Sequence, residues 1–163
     1  VSTDTLKIVA QGDREIVITR EFDAPRDLVF EAWTTPALLK RWFGVFGGWS
    51  LDVCDIDLRA GGDFRYLWVN AEGRLEIRGT YNEVVAPERI AGVERFVEPF
   101  ASEDATGTTV FSERDGRTYL RNTVRYPSQQ ARDGALRSPM EHGMRASYNA
   151  LDELLATQRA TAP

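Results

Sequence analysis

The chain has 163 residues, 42% of them hydrophobic and 28% charged, with a formal net charge of -5. That balance excludes an intrinsically disordered chain, and the negative charge, with Lys and Arg dispersed, excludes a nucleic-acid partner, whose phosphates the whole-protein field would repel. A lone cysteine, Cys54, allows no intrachain disulfide and no stretch is apolar for long enough to span a bilayer, so the expected location is the cytoplasm, with no membrane partner.

Residues 1–13 are mixed and polar and read as a flexible lead-in to one domain over 14–156, with 157–163 as a frayed tail. The β-branched run Glu15 to Phe22 predicts a strand. Asp23-Ala24-Pro25 ends it, with Asp23 as the expected N-cap of a helix carrying Val29, Phe30 and Trp33 on one side. Thr35-Pro36 opens a second short helix with Leu38, Leu39, Trp42 and Phe43. Trp49 to Arg59 alternates as a strand, with Leu51, Val53, Asp55 and Asp57 on one face and Cys54, Ile56 and Leu58 on the other. Gly61-Gly62 marks a turn into Asp63–Asn70, which carries Phe64, Tyr66 and Trp68 on one face. Arg74 to Val85 follows, with Leu75, Ile77, Gly79 and Tyr81 sharing a face, and then Arg89 to Glu98.

The polar stretch Pro99 to Gly107 reads as a loop that could gate an interior space. Thr108–Glu113, Asp115-Gly116 and Thr118–Tyr126 read as a hairpin. Ser128 is the expected N-cap of a last helical region, interrupted at Gly134 and kinked or split at Pro139. Beyond it Met140, Met144, Tyr148, Leu151 and Leu155 form a stripe at helical spacing. Segregated strands and helices imply an α+β fold whose last helix covers the sheet.

Four segments resemble a known family: Arg20-Glu21-Phe22-Asp23-Ala24-Pro25 with Val29-Phe30-Glu31-Ala32-Trp33-Thr34; Leu39-Lys40-Arg41-Trp42-Phe43-Gly44; Asp57-Leu58-Arg59-Ala60-Gly61-Gly62-Asp63-Phe64; and Met140-Glu141-His142-Gly143-Met144 continuing through Tyr148 to Leu155. In order and spacing they resemble the SRPBCC (START and birch-pollen-allergen) superfamily, and within it the bacterial homologues of the activator of heat-shock protein 90 ATPase. The resemblance implies a helix-grip fold, in which a curved antiparallel sheet of about seven strands wraps a long C-terminal helix, with two short helices after strand one. It implies no single activity, because the superfamily includes lipid carriers, cyclases, oxygenase subunits and co-chaperone domains.

Candidate chemistry is sparse. His142 is the sole histidine, and no His, Cys or Asp cluster has metal-ligand spacing, so neither a metal nor an organic cofactor is expected. Cys54 is read as a packing residue rather than a nucleophile paired with His142. Asp55, Asp57 and Arg59 are read as a solvated strand face rather than an acid–base pair. Gly61-Gly62 lacks the Lys-Ser/Thr of a phosphate loop. The aromatic set fits either a dense core or a pocket wall, and the resemblance favours the pocket.

The expected lining is Trp33, Trp42, Phe64, Tyr66, Trp68, Gly79, Tyr81, Phe96, Met140, Met144 and Tyr148. The function expected is binding of a small apolar or amphipathic ligand by a monomer or weak homodimer, with no enzymatic activity. The alternatives are a chaperone-activator-like interaction module and a cyclase or hydrolase acting on a hydrophobic substrate.

Overall fold

A computed structural model describes residues 4–161. Its elements run β1 (Lys7–Gln11), β2 (Glu15–Phe22), α1 (Arg26–Thr34), α2 (Pro36–Trp42), β3 (Ser50–Ile56), β4 (Asp63–Val69), β5 (Arg74–Val85), β6 (Arg89–Glu98), β7 (Ala105–Arg114), β8 (Arg117–Arg125), α3 (Gln129–Arg137) and α4 (Met140–Thr161). The strands form one antiparallel sheet in the order β1-β2-β8-β7-β6-β5-β4-β3. The α+β helix-grip architecture is therefore present, with eight strands rather than about seven.

The additional strand corrects the reading of residues 1–13 as a flexible lead-in. Gly12, at φ 57°, turns the chain so that Ile8 pairs with Ile18 and Ala10 with Ile16. Leu6 then joins the core and Ile8 packs against it. Residues 1–3 lie outside the described residues. The expected frayed tail is also corrected in part, because α4 continues to Thr161; residues 162–163 lie outside the described residues.

Local sequence accounts for most element ends. Asp115 (φ 54°) and Gly116 (φ 75°) both adopt the left-handed conformation that a tight hairpin between β7 and β8 requires. Pro36 occupies the first turn of α2, where its missing N–H costs nothing. Ser128 caps α3, its Oγ accepting from the Ala131 N–H at 3.0 Å. The chain breaks at Ser138-Pro139, dividing α3 from α4, as a helix-interior proline dictates. Two expectations at helix ends fail. Pro25 rather than Asp23 is the N-cap of α1, since Asp23 pairs with Arg117 and Arg159. Helix α3 runs through Gly134 without interruption.

Strand β3 departs from simple alternation. A register shift between Leu51 and Val53 turns both Leu51 and Cys54 into the core, while Asp52 and Asp55 remain exposed. The packed core lies where β2, β8 and β7 meet α1, α2 and the second half of α4. Ile16, Ile18 and Phe22 face Val29, Ala32, Leu39, Leu151 and Leu155, all close to fully buried. Phe22 meets Tyr148 edge to face at 5.6 Å. The Trp42 indole N–H donates to the Ala32 carbonyl at 3.0 Å, tying the two short helices together.

Candidate ligand cavity

The sheet curves away from the first half of α4, and the space between them stays open. This cavity has a volume of about 930 Å³, within the usual range of roughly 300–1,000 Å³ for small-molecule sites. Its floor is the inner face of β4 to β8, its roof is α3 and the start of α4, and its far wall is the short-helix region.

Most of the residues expected from sequence are brought together here. Trp33 comes from α1 and Trp42 from the end of α2. Phe64 and Tyr66 come from β4, Tyr81 from β5 and Phe96 from β6. Met140, Met144 and Tyr148 descend from α4. The rings contact one another: Phe43 meets Tyr66 edge to face at 5.2 Å, Phe64 lies 4.9 Å from Tyr81, and Trp33 lies 5.0 Å from Trp42.

Two expected residues do not line it. Trp68 sits behind the wall, where its indole N–H donates to the Phe43 carbonyl at 2.8 Å and its ring supports Phe43 at 5.3 Å. It also covers Gly44, where an added Cβ would stand 2.3 Å from the indole nitrogen. Gly79 pairs with Phe64 across the strands, and the Phe64 ring covers it. A Cβ there would stand 2.2 Å from Phe64 Cζ and 2.3 Å from the Val93 carbonyl oxygen. Its missing side chain makes room for an aromatic ring, not for a ligand.

Several lining residues escape the sequence reading. The last helical region was expected to act through α4, yet Ala131, Gly134 and Ala135 of α3 form part of the roof. Strand β6 contributes Ile90, Gly92 and Glu94, and β8 contributes Asn122 and Val124. Ile90, Gly92, Glu94 and Phe96 alternate in sequence, so a charged residue on an otherwise apolar face was the available signal for Glu94. Exposed lining residues include Arg95 of β6 and Phe100, Glu103, Gln130 and Ser138, the last four setting the rim between the β6–β7 loop and α3. That loop is shorter than expected, because β7 begins at Ala105. Ser102 fastens it: its hydroxyl accepts from the Phe96 N–H at 2.8 Å and its N–H donates to the Phe96 carbonyl at 3.0 Å.

The electrostatics follow from enclosure. Burial pushes Tyr66 well above the ordinary phenol range, reinforced by the neighbouring Tyr81 hydroxyl. Burial takes Tyr81 up to about 12 against the lowering effect of its hydrogen bond with Tyr66, and burial with the nearby Glu94 carboxyl takes Tyr126 to about 12. Each of these hydroxyls therefore stays a proton donor at neutral pH. Burial also raises the Glu94 carboxyl above its ordinary value. The Asn122 amide donates to Thr109 Oγ1 at 2.6 Å, and the Trp33 indole N–H is buried without a partner.

The residues weighed for catalysis do not converge. Cys54 is in the core, its thiol pushed up to about 11 by burial. His142 is exposed on α4 against Phe46, with ring centroids 5.9 Å apart. Neither lines the cavity. Asp57 and Arg59 pair with each other on the exposed surface. Among the described residues, no group of three or more His, Cys, Asp or Glu side chains is placed to hold a metal ion, and no helix is long and apolar enough to cross a membrane.

Residues 23–156 match the family described as Activator of Hsp90 ATPase homolog 1-like protein. The chain belongs to that family. Solved structures of similar fold agree with this assignment. A protein from Rhodobacter sphaeroides is 28% identical, with 94% of this chain and 99% of that chain covered and a TM-score of 0.88. One from Nitrosomonas europaea is 25% identical, with 93% and 99% covered and a TM-score of 0.79. An Activator of Hsp90 ATPase homolog 1-like protein from Aeromonas hydrophila, 18% identical with 87% and 93% covered and a TM-score of 0.67, shares the fold. No curated protein matches the sequence. Membership brings the helix-grip fold, which commonly holds hydrophobic ligands.

Proposed function

We propose that this protein binds a small apolar or amphipathic molecule in the cavity between the sheet and the C-terminal helices. The observation that carries this reading is the cavity itself, about 930 Å³ of space walled by Trp, Tyr, Phe, Ile and Met side chains that a filled core would have closed. The rings supply apolar contact, while their hydroxyls and the Asn122 amide supply a few fixed polar groups. The interaction-module alternative needs a contiguous apolar surface. Here, of the large exposed apolar side chains, Val9 on β1 and Leu58 just after β3 belong to opposite margins of the sheet. The enzymatic alternative needs converging reactive groups, for example His142, Cys54 or Tyr66; Tyr66 lines the cavity, whereas Cys54 and His142 lie outside it.

The test is titration of the protein with Nile red, a neutral apolar dye. Saturable binding with one dye per chain and an affinity near micromolar, about -8 kcal/mol, reversed by a long-chain alcohol, is the expected result. Absence of saturable binding would overturn the reading.

A further inference from the structure

Among the described residues, two carboxyls drawn into the fold, Glu76 and Asp152, are paired with guanidinium groups. Glu76, on the outer face of β5, accepts from Arg65 at 3.0 Å and also pairs with Arg78. Asp152 of α4 pairs with the buried Arg20, whose guanidinium also donates to Asn149 Oδ1 at 3.1 Å. Glu94 differs. Its side chain enters the cavity from β6 and has neither a hydrogen bond nor an ion pair with any described residue.

Glu94 is half-buried and its carboxyl opens on the cavity; an unpaired carboxyl beside apolar walls is costly, and such groups normally find a partner. No cation among the described residues pairs with it. The only charged lining residue that could serve is Arg95, its chain neighbour, which pairs instead with Asp104 at 3.9 Å. The other groups that titrate around the cavity are Tyr66 on β4, Tyr81 on β5, Tyr126 beyond β8, Tyr148 on α4 and Glu103 at the rim; α3 contributes none. Aromatic rings on β4 and β5 share the same space, and ring faces attract cations.

Resting on the ligand-binding reading above, we infer that the cavity's ligand carries one protonated amine, held by Glu94 and the surrounding rings, on an otherwise apolar body. The amine replaces the missing guanidinium, and the apolar body fills the rest of the cavity. Carboxylate-bearing molecules of the same size are disfavoured, because their charge would meet Glu94 with no intervening cation.

The test measures displacement of Nile red by decylamine, decanol and decanoate, on the wild type and on Glu94→Gln. In the wild type, decylamine should bind about tenfold or more tightly than decanol, with decanoate weakest. In Glu94→Gln, shown to be folded by its thermal midpoint, that preference should fall below about threefold. It should also shrink in the wild type as the pH falls and Glu94 takes up a proton, while decylamine stays charged. Equal binding of amine and alcohol, a preference that survives Glu94→Gln, or tightest binding by decanoate would overturn the inference and leave the ligand-binding reading intact. Failure of both Nile red and decanol to bind the wild type would overturn the cavity reading, and this inference with it.

Discussion

From Leu151 to Leu155, α4 is sealed against the sheet, whereas from Met140 to Ser147 the same helix borders open space, with Tyr148 at the junction lining the cavity. The sealed half presents Leu151, Leu154 and Leu155, which interdigitate with Ile16, Ile18 and Phe22 and with the two short helices. The open half presents Met140, Gly143, Met144 and Ser147, side chains that are flexible, absent or small. A single helix thus divides the interior into a part that holds the fold together and a part that the fold leaves vacant. The difference arises from which side chains face inward, not from helix geometry.

The largest expected effect tests that division directly. Leu151→Ala should lower stability by about 2–5 kcal/mol, since Leu151 is fully enclosed. Met144→Ala should cost no more than about 1 kcal/mol, since its side chain already borders a void. Urea unfolding with unchanged m-values is the measurement, and equal losses at the two sites would erase the distinction.

The glycines sharpen the comparison at somewhat smaller magnitude. Gly79→Leu should destabilise by roughly 1–3 kcal/mol, because the Phe64 ring and the Val93 carbonyl occupy the space. Gly134→Leu meets nothing within 4 Å of the new Cβ. It should leave stability unchanged or raise it by up to about 1 kcal/mol through helix propensity. It should also weaken Nile red binding about tenfold by filling the roof of the cavity.

The smallest effects concern the two faces of the sheet. Arg65 and Arg78 hold Glu76 down to about 2, from an ordinary 4.5. Its contribution is therefore fully present above pH 4.5 and is lost as the pH falls toward 2. Glu76→Gln should lower stability at pH 7 by about 1 kcal/mol and flatten the acid branch of the stability curve. Glu94 has the opposite sign. Its raised value means that stability is lost as the pH rises above 4.5, so Glu94→Gln should be more stable at pH 7 than the wild type by about 1 kcal/mol. Thermal melts of both variants across pH 3 to pH 8 read the two signs.

Much of this organisation is legible in the chain because local chemistry decides it. The β-branched run of β2, the Asp115-Gly116 hairpin, the Ser128 cap and the Pro139 break each follow from residues within a few positions of one another. Other features depend on distant partners. Lys7–Gln11 is too short to announce a strand by itself, despite Ile8 and Val9, and it becomes one by pairing with β2. The β3 bulge is set by its fit to β4, so strict alternation misassigned Leu51, which joins Cys54 on the buried face. Gly79 alternates correctly with Ile77 and Tyr81, yet the ring of its cross-strand neighbour removes it from the cavity. The aromatic wall was visible as composition, while the isolation of Glu94 appears only when every guanidinium has been placed.

The bulge in β3 has a further consequence at the boundary of the sheet. An open sheet has two unsatisfied margins, here β1 and β3, and either could recruit a strand from another copy of the chain. The irregular spacing at Leu51 and Val53 interrupts the row of backbone groups that an incoming strand would need. The carboxylates of Asp52 and Asp55 stand exposed along the same margin, and two copies meeting there would bring like charges together. The opposite margin is only five residues long and begins with Lys7. The distortion that fits Leu51 and Cys54 into the interior thus also makes the molecule a poor template for its own aggregation.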